Sequence, residues 1–286
     1  MIEIKKYTAE DAAEWDFVIE RSRNGTFLHY RNYMDYHSDR FQDFSLIVLR
    51  ADKPVAVFPA SVASGIVTSH GGLTYGGLLS VEDLCADETL QAVQQIGSHY
   101  KANGIEKILI KTVPYIFHRY PCQEELYALF RVDAKLVRRD ASSVIELNKK
   151  FSYSKGRKWS INKARKAGVI VKKTLDPISF YTLLTAALKK FDATPTHSIE
   201  EIRLLMQRFP ENVSIYEAHI SGNISAGAII YDFGDAVHTQ YLATSEDGRN
   251  IGSLDFLLAE LIQNVYADRK FFSFGISTEQ SGHFLN

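Results

Sequence analysis

From Phe44 the chain reads FSLIVLRA, turns at Asp52 and Lys53, and continues PVAVFPAS, so two short apolar strands are predicted. After the glycine-rich segment TSHGGLTYGGL comes ADETLQAVQQIGSHYKANG, apolar at Leu90, Val93 and Ile96 and closed by Gly104, which predicts a helix. The strand IEKILIKTV follows and ends before Pro114. The same order then recurs. VSIYEAHI from Val213, a turn at 221–223, ISAGAIIYDF, a turn near Gly234 and AVHTQYLA predict a strand meander, and GSLDFLLAELIQNVYA and KFFSFG predict its helix and returning strand. Corresponding points lie about 165 to 170 residues apart, the mark of an internal repeat. In the second helix Leu254, Leu257, Leu258, Leu261, Ile262 and Val265 make one apolar stripe that faces a sheet. Upstream, FYTLLTAALKKF and SIEEIRLLMQRF predict two shorter helices, the latter with Ser198 as N-cap and Glu201 three residues on.

The pattern predicts an α/β (α+β) chain of two tandem domains, 1–150 and 151–286, the division falling between Asn148 and Val169 and a cleft lying at the junction. With 45% hydrophobic and 23% charged residues it has the composition of an ordinary globular protein. The start MIEIKKYTAEDAAEW has no apolar core of a signal peptide, and no stretch approaches the roughly 18 apolar residues of a membrane span. A cytoplasmic location without an integral membrane segment is the expectation. Cys85 and Cys122 form no ligand spacing and read as packing residues, with no metal site or disulfide framework. In NGTFLHYRNYMDY, Phe27, Tyr30, Tyr33 and Met34 lie at helical spacing and read as packing.

Charge changes the picture at one place. The 33 basic and 34 acidic residues nearly cancel, which argues against DNA tracked across the whole surface. Yet Lys149 to Lys173 holds ten Lys and Arg and no acid. Within it KGRKWSINKARKAG predicts a helix, capped by Ser154 and closed by Gly168. Lys155, Lys158, Lys163, Arg165 and Lys166 fall in an arc of roughly 160° with Trp159 and Asn162, opposite Ile161, Ala164 and Arg157. Such a face either meets water or holds an anionic partner, with Lys158 and Lys163 as the substrate-binding candidates.

The chemistry points to AVHTQYLATSEDGRNIGSLDFLL, where a strand runs through a turn into a helix. Free N–H groups at a helix start favour phosphate, and Gly252 would let the backbone come close, with Arg249 adding charge. This order resembles the GNAT acyltransferases, whose Arg/Gln-x-x-Gly-x-Gly/Ala turn cradles the donor pyrophosphate; Arg249, Gly252 and Leu254 stand at those positions, Leu254 departing from the small residue expected. NGTFLHYRNYMDY, KGRKWSINKARKAG, PTHS, HTQYLA and FGISTEQSGHFLN narrow the resemblance to the FemAB-like tandem GNAT proteins.

The resemblance covers nearly the whole chain. It implies two GNAT-like domains, each a mixed, mostly antiparallel sheet flanked by helices, and an N-acyltransferase without a metal. The donor would be acyl-CoA, such as acetyl-CoA, or aminoacyl-tRNA. The acceptor would be an amino group of a small molecule or of a cell-envelope or capsule precursor. Leu242, Ala243, Arg249, Gly252 and Ser253 would hold the donor. The first copy has GGLTYGGLLSVEDL in place of an Arg-x-x-Gly turn, so it would have lost the donor site and shape the acceptor groove. The family continues where this chain stops at SGHFLN, so the last strands of the second domain are expected to be absent.

His238 is the first candidate for general base and Glu279, after KFFSFG, the second; Tyr241 completes the catalytic set. Strict alternation puts His238 and Gln240 on one face and Tyr241 on the other, unless a bulge re-aims them. His197, between Pro195 and a helix, reads either as a turn-stabilising residue or, with Gln240, as a substrate contact. The alternative for the whole chain is a catalytically degenerate tandem GNAT that binds peptide or RNA.

Overall fold

The structure is a computed structural model that describes residues 1–276. The expectations placed on Glu279 and on the SGHFLN terminus fall outside the described residues. The chain divides into two compact units, Met1–Arg138 and Arg139–Asn286.

The first unit contains β1 (Ile2–Lys6), α1 (Ala12–Arg21), α2 (Arg31–Met34), β2 (Gln42–Asp43), β3 (Leu46–Arg50), β4 (Lys53–Phe58), β5 (Ser61–Ala63), β6 (Ile66–Thr68), β7 (Leu79–Ser80), α3 (Ala86–Ala102), β8 (Lys107–Leu109) and α4 (Glu124–Arg131). Its strands form two four-stranded sheets, β1-β3-β4-β7 and β2-β5-β6-β8, antiparallel except for the parallel pair β6 and β8. The predicted strand IEKILIKTV is strand only over β8. Beyond it the backbone is spent on the glycine-rich segment: Lys111 N–H donates to Ser69 Oγ (2.8 Å), and Gly76 N–H donates to Lys111 O (2.6 Å). Phe27, Tyr33 and Met34 are buried as packing residues.

The second unit contains β9 (Ser142–Glu146), α5 (Lys155–Lys166), β10 (Ile170–Thr174), α6 (Ile178–Lys189), α7 (Ile199–Arg208), β11 (Val213–Ile220), β12 (Asn223–Asp232), β13 (Ala236–Thr244), α8 (Glu246–Ile251), α9 (Ser253–Glu260) and β14 (Phe271–Ile276). These strands make one sheet in the order β10-β11-β12-β13-β14-β9, antiparallel but for β13 and β14. Ser221 and Gly222 make the tight hairpin between β11 and β12. Ser154 Oγ accepts from Arg157 N–H at the start of α5, and Ser198 with Glu201 forms the capping box of α7, as the sequence predicts.

Two departures bear on the site. The turn expected between β13 and the long helix is itself a helix, α8, and the long helix is α9 followed by a π-helical turn over Leu261–Val265. β9, placed by sequence in the first domain, pairs antiparallel with β14 and so belongs to the second unit. The compact units divide between Arg138 and Arg139.

One face of the second sheet carries α5 and α9. Ile161 and Ala164 from α5 and Leu257 from α9 pack there on Tyr216, Ala228, Ile230, Val237 and Phe272. The other face carries α6, whose Phe180 lies over Gly227 so closely that a β-carbon there would stand 2.4 Å from the ring. Ala226 and Ala228, on either side of Gly227, point into the α5 and α9 core, which fixes Gly227 and Phe180 to the opposite face.

Candidate active site

β13 and β14 run side by side only from Ala236 and Phe271 to His238 and Ser273. Beyond that point β13 continues to Thr244 without pairing to β14 among the described residues. The two strands therefore open into a fork, and the edge of β13 that faces it presents backbone groups that no neighbouring strand uses among the described residues.

His238 stands at the base of the fork. Phe272 and Phe274 join the α5 and α9 core, so Ser273 between them points to the opposite face, where its hydroxyl lies 3.3 Å from His238 Nδ1. Burial holds the His238 imidazole down at a pKa of about 4, so it is neutral at physiological pH.

A β-bulge follows directly. Ile229 pairs with Tyr241 and Ile230 with Thr239, which leaves Gln240 as the extra residue of β13. Leu242 packs with Val237 on the α5 and α9 core, and Tyr241 turns the other way. The exception the sequence reading left open is thus the one found: the bulge re-aims Tyr241 onto the face of His238. There the Tyr241 hydroxyl and His197 Nδ1, just ahead of α7, share a 2.7 Å hydrogen bond, and the rings meet edge to face at 5.7 Å. Burial raises the Tyr241 phenol above its ordinary pKa and keeps it protonated. His238, Tyr241 and His197 therefore share one sheet face, and Gln240 sits at the bulge beside them.

The donor-binding residues fare differently. Ala243 is buried opposite Gly227, and Leu242 is part of the core wall. Gly252 has φ +83° and links α8 to α9, but the space left by its missing side chain is filled: a β-carbon would lie 2.2 Å from Ser160 Oγ and 2.7 Å from Ser160 O of α5. The glycine lets one helix cross another, a packing reason for it that the sequence did not show. Ser253 is fully buried, its Oγ without a partner among the described residues. Arg249 lies exposed in the last turn of α8, where it suits the negative end of the helix dipole.

Around this turn acids offset the cations Arg249 and Lys163. Glu246 and Asp247 open α8, and its cap is already supplied by Ser245, whose Oγ accepts from Gly248 N–H (2.9 Å). A shallow open recess of ≈ 370 Å³ alongside is lined by Ser221, Asn223, Ser225, Asp247, Asn250 and apolar neighbours, with no Lys or Arg among its lining residues. The residues present do not fit the phosphates of acyl-CoA at this turn.

The cationic helix explains why the turn is covered. Arg157 pairs with Asp255 at the start of α9, and Lys163 Nζ donates to Asn250 O of α8 (2.8 Å) while lying 4.9 Å from the Trp159 ring centre. Lys163 is thereby committed to holding α5 across α8. Lys158, Lys155, Lys166 and Trp159 remain exposed. Ser273, Ser160, Asp255 and Gly248 were not legible as site residues, because their roles depend on partners distant in sequence. Only Gly248, buried against Ser225 O, left a hint in the DGRN run. Among the described residues no three His, Cys, Asp or Glu side chains gather as a metal-binding group.

No protein-family model and no curated protein matches this chain. Its likeness to solved structures is nevertheless extensive. A crystal structure of FemX superposes with TM-score 0.66 at 11% identity, over 96% of this chain and 89% of that one. The L-PGS of Bacillus licheniformis gives 0.60 at 11% identity over 96% and 78%, and a tandem GNAT protein from the clavulanic acid biosynthesis pathway gives 0.52 at 9% over 99% and 93%. The fold is a tandem GNAT fold. FemX shares that fold over nearly the whole of this chain.

Proposed function

We propose that the chain is an N-acyltransferase that moves an acyl or aminoacyl group from a carrier to an amino group of an acceptor such as a cell-envelope or capsule precursor. The observation that carries this reading is the fork of β13 and β14, with neutral His238 at its base and Tyr241 brought to the same face by the bulge. The acceptor nitrogen attacks the carrier-bound carbonyl carbon and a C–N bond forms. His238 takes the amine proton, the backbone N–H groups along the open edge of β13 polarise the carbonyl oxygen, and the bond to the carrier breaks. Tyr241, held by His197, supplies a proton to the departing atom.

The poor fit of the Gly252 turn to phosphate favours an aminoacyl ester on tRNA over acyl-CoA as donor. The exposed cations and Trp159 of α5 supply a face suited to a phosphate backbone. The test is transfer by the purified chain from charged tRNA and from acyl-CoA, with wild type, His238→Ala and Tyr241→Phe. His238→Ala is expected to lower kcat by about 10²-fold or more. Unchanged kcat in His238→Ala would remove the base assignment. No transfer from either donor, with no donor binding by calorimetry, would leave the degenerate peptide- or RNA-binding module as the reading.

A further inference from the structure

Helix α4 in the first unit is turned inside out. At 100° per residue Glu124, Glu125 and Ala128 share one side, and that side faces inward: Glu124 accepts from Arg23 Nη1 (2.8 Å), Glu125 accepts from Leu78 N–H (2.7 Å), and Ala128 is fully buried. Leu126, Tyr127 and Phe130 occupy the opposite side, Leu126 and Tyr127 about half exposed and Phe130 76% exposed. A helix of a water-soluble surface normally carries the reverse arrangement.

The apolar face continues past the helix. Asp133 and Ala134 N–H groups close on the carbonyls of Phe130 (3.2 Å) and Leu129 (3.0 Å), so the following residues leave from the end of α4, and there Leu136 and Val137 are 75% and 74% exposed. Interleaved with these are Arg131, Lys135 and Arg138, against the single acid Asp133. Arg131 donates to the Tyr127 hydroxyl (2.6 Å), which sets a guanidinium at the rim of the apolar face.

We infer that residues 126–138 form a peripheral docking surface for an anionic lipid bilayer. Leu126, Phe130, Leu136 and Val137 enter the boundary between headgroups and acyl chains, Tyr127 sits at headgroup level, and Arg131 and Lys135 meet anionic headgroups. Charge complementarity selects this occupant. A second copy joined through the same patch would bring the like cations of both copies together, and a bilayer bearing anionic lipid opposes none of them. The attachment is to a surface: no helix among the described residues is long and apolar enough to cross a membrane. The inference stands independently of the transferase reading.

The test is co-sedimentation of the full chain with vesicles of phosphatidylcholine, with and without about one third phosphatidylglycerol, at low and physiological salt. Binding is expected only with the anionic lipid, weakening as salt rises. The double substitution Phe130→Glu with Leu136→Glu is expected to weaken it by at least tenfold, and Lys135→Glu alone by several-fold, with unchanged thermal unfolding because all three side chains are exposed. Absence of binding to anionic vesicles, or binding equal in wild type and the double variant, would overturn the inference. So would a dimer in light scattering that Phe130→Glu dissolves, since the face would then belong to a second copy.

Discussion

Gly252 illustrates what a single residue can and cannot tell in advance. Its place between strand and helix was legible, because a left-handed backbone is needed where α8 gives way to α9 and glycine supplies it without strain. Its neighbour was not legible. Ser160, which occupies the space a phosphate was expected to use, lies 92 residues earlier and carries no pattern that ties it to the turn. Glu125 poses the same problem in the first unit. Its carboxyl, buried beside Gly77 and bonded by Leu78 N–H, is pushed up to a pKa of about 7 by burial, although nothing in EELYALFR distinguishes it from the exposed acids of other helices. The folded state thus favours the protonated form more than the unfolded state does. The stabilisation is complete below the unfolded value near 4.5 and is lost as pH rises through about 7. Glu125→Gln keeps an oxygen for Leu78 N–H and cannot ionise. Between pH 5 and pH 8 the wild-type urea midpoint of the first unit is expected to fall while that of Glu125→Gln stays nearly level; parallel pH profiles would refute the buried acid.

At the scale of elements the reading went further, because helices advertise themselves through caps and periodicity. The bounds of α5, its Ser154 cap, its buried Ile161 and Ala164 and its cationic outer arc all follow from KGRKWSINKARKAG. Where α5 docks does not, since that is decided by Asp255, Asn250 and the bare backbone of Gly252. Docking also divides the cations into two kinds: Arg157 and Lys163 hold the helix to α9 and α8, and Lys155, Lys158 and Lys166 face solvent. If the exposed group tracks phosphates, Lys158→Glu with Lys166→Glu should weaken use of charged tRNA by about tenfold or more at low salt and flatten its salt dependence, with thermal stability unchanged. Arg157→Ala should do the opposite. It frees Asp255 and loosens α5, at a cost of up to about 1 kcal/mol for a pair exposed on one side, without altering the salt dependence. Equal tRNA use by wild type and the double reversal, measured by initial rates, would return the outer arc to the role of a solvated surface.

At the scale of the whole chain, the repeated order of meander, helix and returning strand was visible because each copy is built from consecutive elements. β9 was not visible. Its five residues, SSVIE, are short and half-exposed, and they acquire meaning only from β14, more than 120 residues further on, where Ile145 lies opposite Phe272 and Val144 opposite Ser273. No local pattern encodes a partner at that separation, and a strand that begins a unit is easily assigned to the unit before it. If His238 is the base proposed above, the pairing bears on the site. β14 holds Ser273 against His238, and β9 is the only strand on its far side among the described residues, so β9 braces the closed end of the fork from outside. Ile145 packs against the α5 and α9 core and Val144 faces the other way. Ile145→Asp is therefore expected to cost about 2 kcal/mol or more, lowering Tm of the second unit by about 4–8 °C, and to reduce kcat together with stability as Ser273 loses its fixed position. Val144→Asp, on the more exposed face, is expected to change Tm little. Scanning calorimetry of the two variants separates the cases: equal, small shifts in both would mean that β9 does not brace β14, and the division of the chain would then return to the later boundary read from sequence.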